Sequence, residues 1–513
     1  MGTCYNCHIM TVRTRVAPSP TGFIHLGTIY QVLFDKAWAL KHKGSFIFRS
    51  EDTDRARYVK GAEEAVLEAL EWFGLRPEEG VTLGGEYGPY RQSERLEIYK
   101  KYVDQLIAQG DAYYCFCTKE RLESVREIAT KEKRIPMYDG HCRNLDPKEA
   151  KSRVLAGESY VVRMKMPKNK KITINEVVRG EIEFDSNTID DQVILKADGF
   201  PTYHLAVVVD DHLMEITHII RAQEWISSAP KHKVLYDMFG WKMPILVHTP
   251  AIINMHNGKK LSKRDGHAGV DWYKRGGYLP EAILNFISLL GWSHPEGKEF
   301  FDFVEFTKFF ELKDLSAASP RFDLTKLIWM NGEYIRKLTD KELLKKITDW
   351  LDYCIDSKYS GVSEYSTYWK SDDYVLLKNF ISSLSEEKKI LWININKERI
   401  KKFEDILPLN DFLIKETKLD FELLYNKKSK EDVNSHLIWV KSLFENTDWT
   451  IDNLKALEKD LVLKATDLGW SVGDVFYPIR VAVAKSKISP PLFESLYLLG
   501  KAEVLKSLSS AIF

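Results

Sequence analysis

The sequence predicts an α/β domain built on a parallel sheet, interrupted by an inserted α+β segment and followed by an all-α C-terminal region. Three observations predict it. A strand, a proline-stiffened turn and a helix N-terminus succeed one another over residues 13–28; buried strand patterns resume only after residue 205; and helical periodicity runs from Leu279 almost to Phe513. A chain of 513 residues exceeds what one core accommodates, so several domains are expected.

Arg13-Thr14-Arg15-Val16 reads as the first strand, and the prolines of Ala17-Pro18-Ser19-Pro20-Thr21-Gly22 set the path of the turn after it. Gly22 and Gly27 let backbone approach a ligand, His25 stands at the bend, and the helix beginning near Thr28 directs unpaired N–H groups toward that place. Such a helix start suits an anion. Ile29, Val32, Leu33, Ala37 and Leu40 form its apolar face, with Gly44 expected as the glycine cap. Ser45-Phe46-Ile47-Phe48-Arg49 is the second strand, and Glu51-Asp52-Thr53-Asp54 follows at its C-terminal end, where open α/β sheets bind ligands. Ala62, Val66, Leu67, Leu70 and Phe73 mark a helix before Gly74.

From Tyr90 to Tyr203 the pattern changes to a mixed region with strands at residues 160–164 and 193–195. Within it Cys115, Cys117 and Cys142 suit zinc, with Tyr138 or His141 as fourth ligand; three free thiols are the alternative. Residues 206–211 and 216–221 read as further buried strands. His256-Asn257-Gly258-Lys259-Lys260-Leu261-Ser262-Lys263-Arg264-Asp265 is a basic loop of the kind that clamps phosphates. No Walker A or G-x-G-x-x-G pattern is present. Beyond Trp272 the chain is helical, opening at Leu279-Pro280-Glu281. Trp350, Trp392, Trp439 and Trp470 read mostly as bundle core, with base stacking on RNA as the alternative.

Lysine plus arginine and aspartate plus glutamate both total 74, so a nucleic-acid partner must be met by local patches. No apolar run reaches membrane-span length, and six cysteines without a signal-peptide pattern point to the cytoplasm. Cys4, Cys7 and His8 have the spacing of a haem attachment site or a redox dithiol, but without an export signal residues 1–11 read as an N-terminal extension.

Taken together, Pro18-Ser19-Pro20-Thr21-Gly22 with His25-Leu26-Gly27-Thr28, Glu51-Asp52-Thr53-Asp54 and Lys260-Leu261-Ser262-Lys263-Arg264 resemble the signature set of bacterial-type class I glutamyl-tRNA synthetases. Tyr203-His204-Leu205-Ala206, Asp210-Asp211-His212 and Ile220-Arg221-Ala222 extend the resemblance, which covers Val12 to the C-terminus. It implies Rossmann-type catalytic halves at 12–90 and 206–255, an acceptor-stem-binding insertion at 91–205, a stem-contact region at 256–338 and a helical anticodon-binding region at 339–513. The implied reaction joins L-glutamate to tRNA through a glutamyl-adenylate, with ATP as substrate and Mg2+ accompanying it.

The resemblance also implies residue roles. His25, Lys260 and Lys263 would be catalytic, and Pro18, Ser19, Gly27, Thr28, Glu224 and Trp225 would join them around ATP. Arg15, Ala17, Ser19, Glu51, Tyr203, Val207 and Arg221 would line the glutamate pocket, Arg15 taking the side-chain carboxylate and Glu51 the ammonium. Thr28 replaces the second histidine of the general class I signature, and Val207 replaces an asparagine of some relatives. Asn144 stands where some zinc-binding relatives carry histidine, which makes Tyr138 the better partner for Cys115, Cys117 and Cys142. The expected partners are L-glutamate and a glutamate-specific tRNA, with a glutamine-specific tRNA left open; a monomer without membrane attachment is expected. Glutaminyl-tRNA synthetases share the catalytic signatures but have a β-barrel anticodon region, and a tRNA-binding protein with a dead site is the non-enzymatic alternative.

Overall fold

A computed structural model describes residues 11–20, 22, 24–255, 258–259, 269–356, 371–425, 428–467 and 469–512. Cys4, Cys7, His8, Lys260 and Lys263 lie outside the described residues.

The chain opens with β1 (Arg13–Val16), α1 (Leu26–Lys41), β2 (Ser45–Phe48), α2 (Ala62–Trp72) and β3 (Glu79–Gly80). β2 pairs in parallel with both β1 and β3. Then come α3 (Leu96–Gln109), β4 (Ala112–Cys115), α4 (Lys119–Lys131), α5 (Pro147–Leu155), β5 (Val161–Met164), β6 (Lys171–Glu176), β7 (Gly180–Asp185) and β8 (Val193–Leu195). β4, β5 and β8 form an antiparallel sheet of their own, whereas the β6–β7 hairpin leaves the inserted region to join the main sheet. α6 (Tyr203–Leu213), β9 (His218–Ala222), α7 (Ala229–Phe239) and β10 (Ile245–Thr249) follow, with β10 parallel to both β9 and β6. The Thr217 N–H donates to the Arg13 carbonyl (3.0 Å), which sets β9 beside β1. The resulting order, β3-β2-β1-β9-β10-β6-β7, reverses direction of travel between β1 and β9. That switch point opens a crevice beyond the strands' C-terminal ends.

Two expectations are corrected. Residues 206–211 are not a strand but the middle of α6. Their run of apolar residues is buried all round, and a short run of that kind carries no period that separates helix from strand. Gly44 is not the left-handed cap of α1; Lys43 takes that conformation (φ 54°), with Lys43 N–H donating to Leu40 O and Gly44 N–H to Ala39 O. Gly44 is needed for a different reason: a Cβ there would stand 1.9 Å from the Val12 carbonyl oxygen.

The described chain divides into two compact units, Met1–Val270 with Leu284–Asp323, and Asp271–Ile283 with Leu324–Phe513. In the second, the described residues of its long segment form helices joined by short connections. Trp350 and Trp392 are buried in its core, the Trp392 indole donating to Asn410 Oδ1 (3.0 Å), and Trp439 and Trp470 pack against a second cluster. The tryptophans thus fill the bundle, as the helical reading expected. Among the described residues no helix is long and apolar enough to cross a membrane.

Candidate active site

The turn after β1 is held by backbone bonds to the chain beyond β2: Glu51 N–H donates to Pro18 O (3.1 Å) and Val59 N–H to Pro20 O (2.8 Å). His25 is the N-cap of α1, its Nδ1 accepting from the Gly27 N–H at 2.9 Å, so one orphan donor of the helix start is satisfied and the ring is fixed. A cavity of about 580 Å³ opens at the switch point. Of the residues read from the sequence, Arg15, Ala17, Pro18, Ser19, Thr28, Glu51, Tyr203, Arg221 and Trp225 line it. His25, Gly27 and Glu224 are not among its lining residues. Neither is Val207, which lies one turn along α6 from Tyr203 and is buried in the apolar core under the helix.

Beneath the cavity wall lies a charge network that spans three elements. Asp211 of α6 receives Arg15 Nε from β1 at 3.1 Å and Arg49 Nη1, one residue past β2, at 2.7 Å. Arg49 Nη2 also donates to Glu51 Oε1 (3.2 Å). Burial alone would raise the Asp211 carboxyl, but the two guanidiniums outweigh it and hold the group below the usual carboxylate range. Glu51 goes the other way: burial pushes it up to about 7 against the pull of Arg49 and Arg15. Asp35 of α1 also lines the cavity, and burial raises its carboxyl well above the ordinary value.

Arg221, at 4% exposure, differs from Arg15 in having no carboxylate partner among the described residues. Its Nε donates to His248 Nε2 (3.1 Å), its Nη1 to the Tyr203 hydroxyl and to His232 Nδ1 (both 3.4 Å), and its Nη2 to the Trp225 carbonyl (3.2 Å). Both imidazoles must offer lone pairs to it, and burial lowers their basicity, with the Arg221 charge adding to the effect, so they stay neutral. Tyr203 and Trp225 lie against each other with ring centroids 4.6 Å apart. A buried cation surrounded by neutral acceptors in a cavity wall is a site for an anion.

Sequence reading missed Arg49, Asp35 and the role of Asp210 and Asp211. One signal was present: two adjacent carboxylates ending an apolar run, which become buried whether the run is helix or strand. Asp210 accepts from Gln92 Nε2 (2.9 Å), Arg95 Nε (2.7 Å) and the Tyr99 hydroxyl (2.8 Å).

In the inserted region, β4 and the loop after it bring Cys115 and Cys117 to Cys142, with all three sulfurs within 4.8 Å of one another. The Tyr138 hydroxyl lies 3.4 Å from Cys115 Sγ and 3.5 Å from Cys117 Sγ, and accepts from the Cys142 N–H (2.8 Å). His141 is exposed and not part of the cluster. Three thiols converging on one point form a soft donor set that fits a structural zinc ion, with the harder Tyr138 oxygen beside them as a fourth group.

Residues 11–329 match the family described as tRNA synthetases class I (E and Q), catalytic domain, and residues 336–512 match an anticodon binding domain. The glutamate–tRNA ligase of Thermus thermophilus is 41% identical over 98% of this chain and 100% of its own length. That of Gloeobacter violaceus is 40% identical over 97% and 95%. The crystal structure of a glutamate tRNA ligase from Elizabethkingia meningosepticum in complex with its amino acid superimposes with a TM-score of 0.82 at 32% identity, covering 98% of this chain and 99% of that one. With the signature turn, the switch-point cavity and the helical second unit already in place, these similarities show that the chain belongs to the glutamate–tRNA ligases, within the class I tRNA synthetases for glutamate and glutamine.

Proposed function

We propose that the protein activates L-glutamate with ATP and transfers it to tRNA, and that the switch-point cavity is where glutamate binds. The observation that carries this reading is charge. In and just beneath the cavity wall are three buried guanidiniums, Arg15, Arg49 and Arg221, and the two carboxylates that pair with the first two, Asp211 and Glu51, which leaves one positive charge in excess. Glutamate, with two carboxylates and an ammonium, supplies the complement. Arg15 takes the side-chain carboxylate through the guanidinium edge that Asp211 leaves open, Arg221 takes the other carboxylate, and Glu51 receives the ammonium. Tyr203, Ser19 and Ala17 complete the pocket, and Pro18, Thr28 and Trp225 border the space for ATP. Glutamate-dependent exchange of pyrophosphate into ATP, measured with and without tRNA, tests the reading; exchange driven equally by other amino acids would overturn it.

Adenylate formation is an in-line attack of a carboxylate on the α-phosphate, so the protein contributes position and charge stabilisation rather than a nucleophile. His25 at the helix start and Lys260 and Lys263 in the basic loop supply donors for the phosphates, and Mg2+ accompanies ATP. Lys263→Ala is expected to slow activation roughly 10²–10³-fold, the loss of one oxyanion-type donor, with glutamate affinity little changed. Single-turnover kinetics showing near-normal adenylate formation would remove Lys263 from this role.

The acceptor end of tRNA would meet the inserted region at 91–205, residues 256–338 would contact the stem, and the helical region at 339–513 would read the anticodon loop. A cytoplasmic monomer acting on the glutamate tRNA, with the glutamine tRNA as a second substrate to be tested, completes the proposal. Cys115, Cys117, Tyr138 and Cys142 would hold zinc as a structural clasp on the inserted region. Purified protein should then carry about one zinc per chain, and Cys142→Ser should lose it together with thermal stability. Metal analysis finding no zinc after growth in zinc-replete medium would contradict this.

A further inference from the structure

We propose that Arg49 is a positioning residue for amino-acid recognition, holding the Glu51 carboxylate in place without touching the substrate. The inference rests on the reading that Glu51 receives the substrate ammonium.

Four observations lead to it. Arg49 is fully buried and is absent from the cavity lining, whereas Glu51 and Arg15 both line it. Its Nη2 donates to Glu51 Oε1 (3.2 Å), and its Nη1 donates to Asp211 Oδ1 (2.7 Å), the same oxygen that receives Arg15 Nε (3.1 Å). Glu51 makes no other ion pair among the described residues. A third carboxylate, Asp210, lies 3.8 Å from its Nε, beyond hydrogen-bond distance, and accepts instead from Gln92, Arg95 and Tyr99. The hydrogen bonds of Arg49 to carboxylates therefore go to Glu51 and Asp211, with Asp210 adding a longer-range attraction on its charge. One guanidinium ties the group that receives the ammonium to the carboxylate that orients Arg15, so the two charged ends of the amino-acid site share a support.

The charged groups that face Glu51 set its titration: Arg49 beside it in the chain, Arg15 from β1, and Asp211 and Tyr203 from α6. Burial has raised the carboxyl to about 7, and the attraction of Arg49 and Arg15 opposes that rise. Removing Arg49 takes away the largest opposing attraction and moves the titration to higher pH. A protonated Glu51 cannot pair with an ammonium. Glutamate recognition in the variant should therefore weaken at neutral pH and return as the solution becomes alkaline. A buried ion pair with a merely structural role has no reason to recover in that way, and burial of a pair is itself weak evidence of a stabilising role.

The test uses full-length Arg49→Gln, Glu51→Gln and the double variant, with the KM for glutamate measured from pH 7 to pH 9. For Arg49→Gln the ratio of its KM to that of the wild type should be about tenfold at pH 7 and fall to within about twofold at pH 9, as expected when a carboxyl moves upward by one to two pKa units. In the Glu51→Gln background, adding Arg49→Gln should change KM by less than about threefold, because the carboxylate that meets the ammonium is gone and Asp211 keeps its pairing with Arg15. This second comparison removes a cation and an anion together and serves even where Arg49→Gln alone does not fold. A KM ratio that is constant with pH, or a further tenfold loss in the Glu51→Gln background, would overturn the role of Arg49. If Glu51→Gln itself leaves glutamate binding unchanged, it is the assignment of Glu51 to the ammonium that fails.

Discussion

Replacing Arg221 by methionine is expected to lower kcat/KM for glutamate roughly 10²–10³-fold, the cost of removing one buried partner of a charge-assisted pair. The expectation follows from the asymmetry between the two cavity arginines. Arg15 is compensated by Asp211, whereas the described partners of Arg221 are neutral: two imidazoles, a phenol and a carbonyl. Its charge is compensated only when an anion enters. Methionine keeps much of the packing of the side-chain stem, so the loss should reside in recognition rather than folding. Most of it should appear in KM for glutamate, since the interaction exists in the ground state, with KM for ATP little affected. Steady-state kinetics with varied glutamate check this. A glutamate KM within about threefold of the wild type would show that the carboxylate binds elsewhere.

The second large effect is on specificity. The wild-type protein should prefer glutamate to glutamine by about 10⁴-fold, because an amide brings no charge to the edge of the Arg15 guanidinium that Asp211 leaves open and can turn N–H donors toward its N–H donors. Arg15→Ala should lose most of that preference. Asp211 does not become an isolated buried charge in the variant, since Arg49 still pairs with it at 2.7 Å, and the core should therefore survive the change. Competition between the two amino acids, read as the ratio of kcat/KM values, measures the effect. Full retention of the preference by Arg15→Ala would mean that Arg15 does not meet the side-chain carboxylate.

The elements nearest the cavity were readable because each carries a local signal. β1, the proline turn, α1 and β2 follow from strand-length apolar runs, fixed turn chemistry and a 3.6-residue apolar repeat, all within one stretch of chain. α6 was misread because Val207, Val208 and Val209 suit either element and all three are buried. The same misreading concealed what Val207 does: as part of a helix it points into a core cluster, not into the cavity that Tyr203 lines.

The charge network was not readable, for a different reason. Arg49 and Asp211 are separated by 162 positions, and no periodicity predicts that β2 and α6 place them 2.7 Å apart. Arg221 could be assigned as a substrate arginine by resemblance, but its lack of a carboxylate partner depends on where His232, His248 and Trp225 fall in space. The cysteine cluster stands between these cases. Cys115 and Cys117 announce themselves by spacing and Asn144 favours Tyr138 over His141 by resemblance, while the loop geometry that brings the phenol, not the imidazole, to the sulfurs is a fact of the fold.

The most direct test of the account is aminoacylation by the full-length protein of purified glutamate-specific and glutamine-specific tRNAs, each offered glutamate and glutamine in turn. The account predicts that glutamate is attached to the glutamate tRNA in an ATP-dependent reaction and that glutamine is attached to neither. Failure of the folded protein to charge either tRNA with glutamate, or charging with glutamine at a comparable rate, would contradict it.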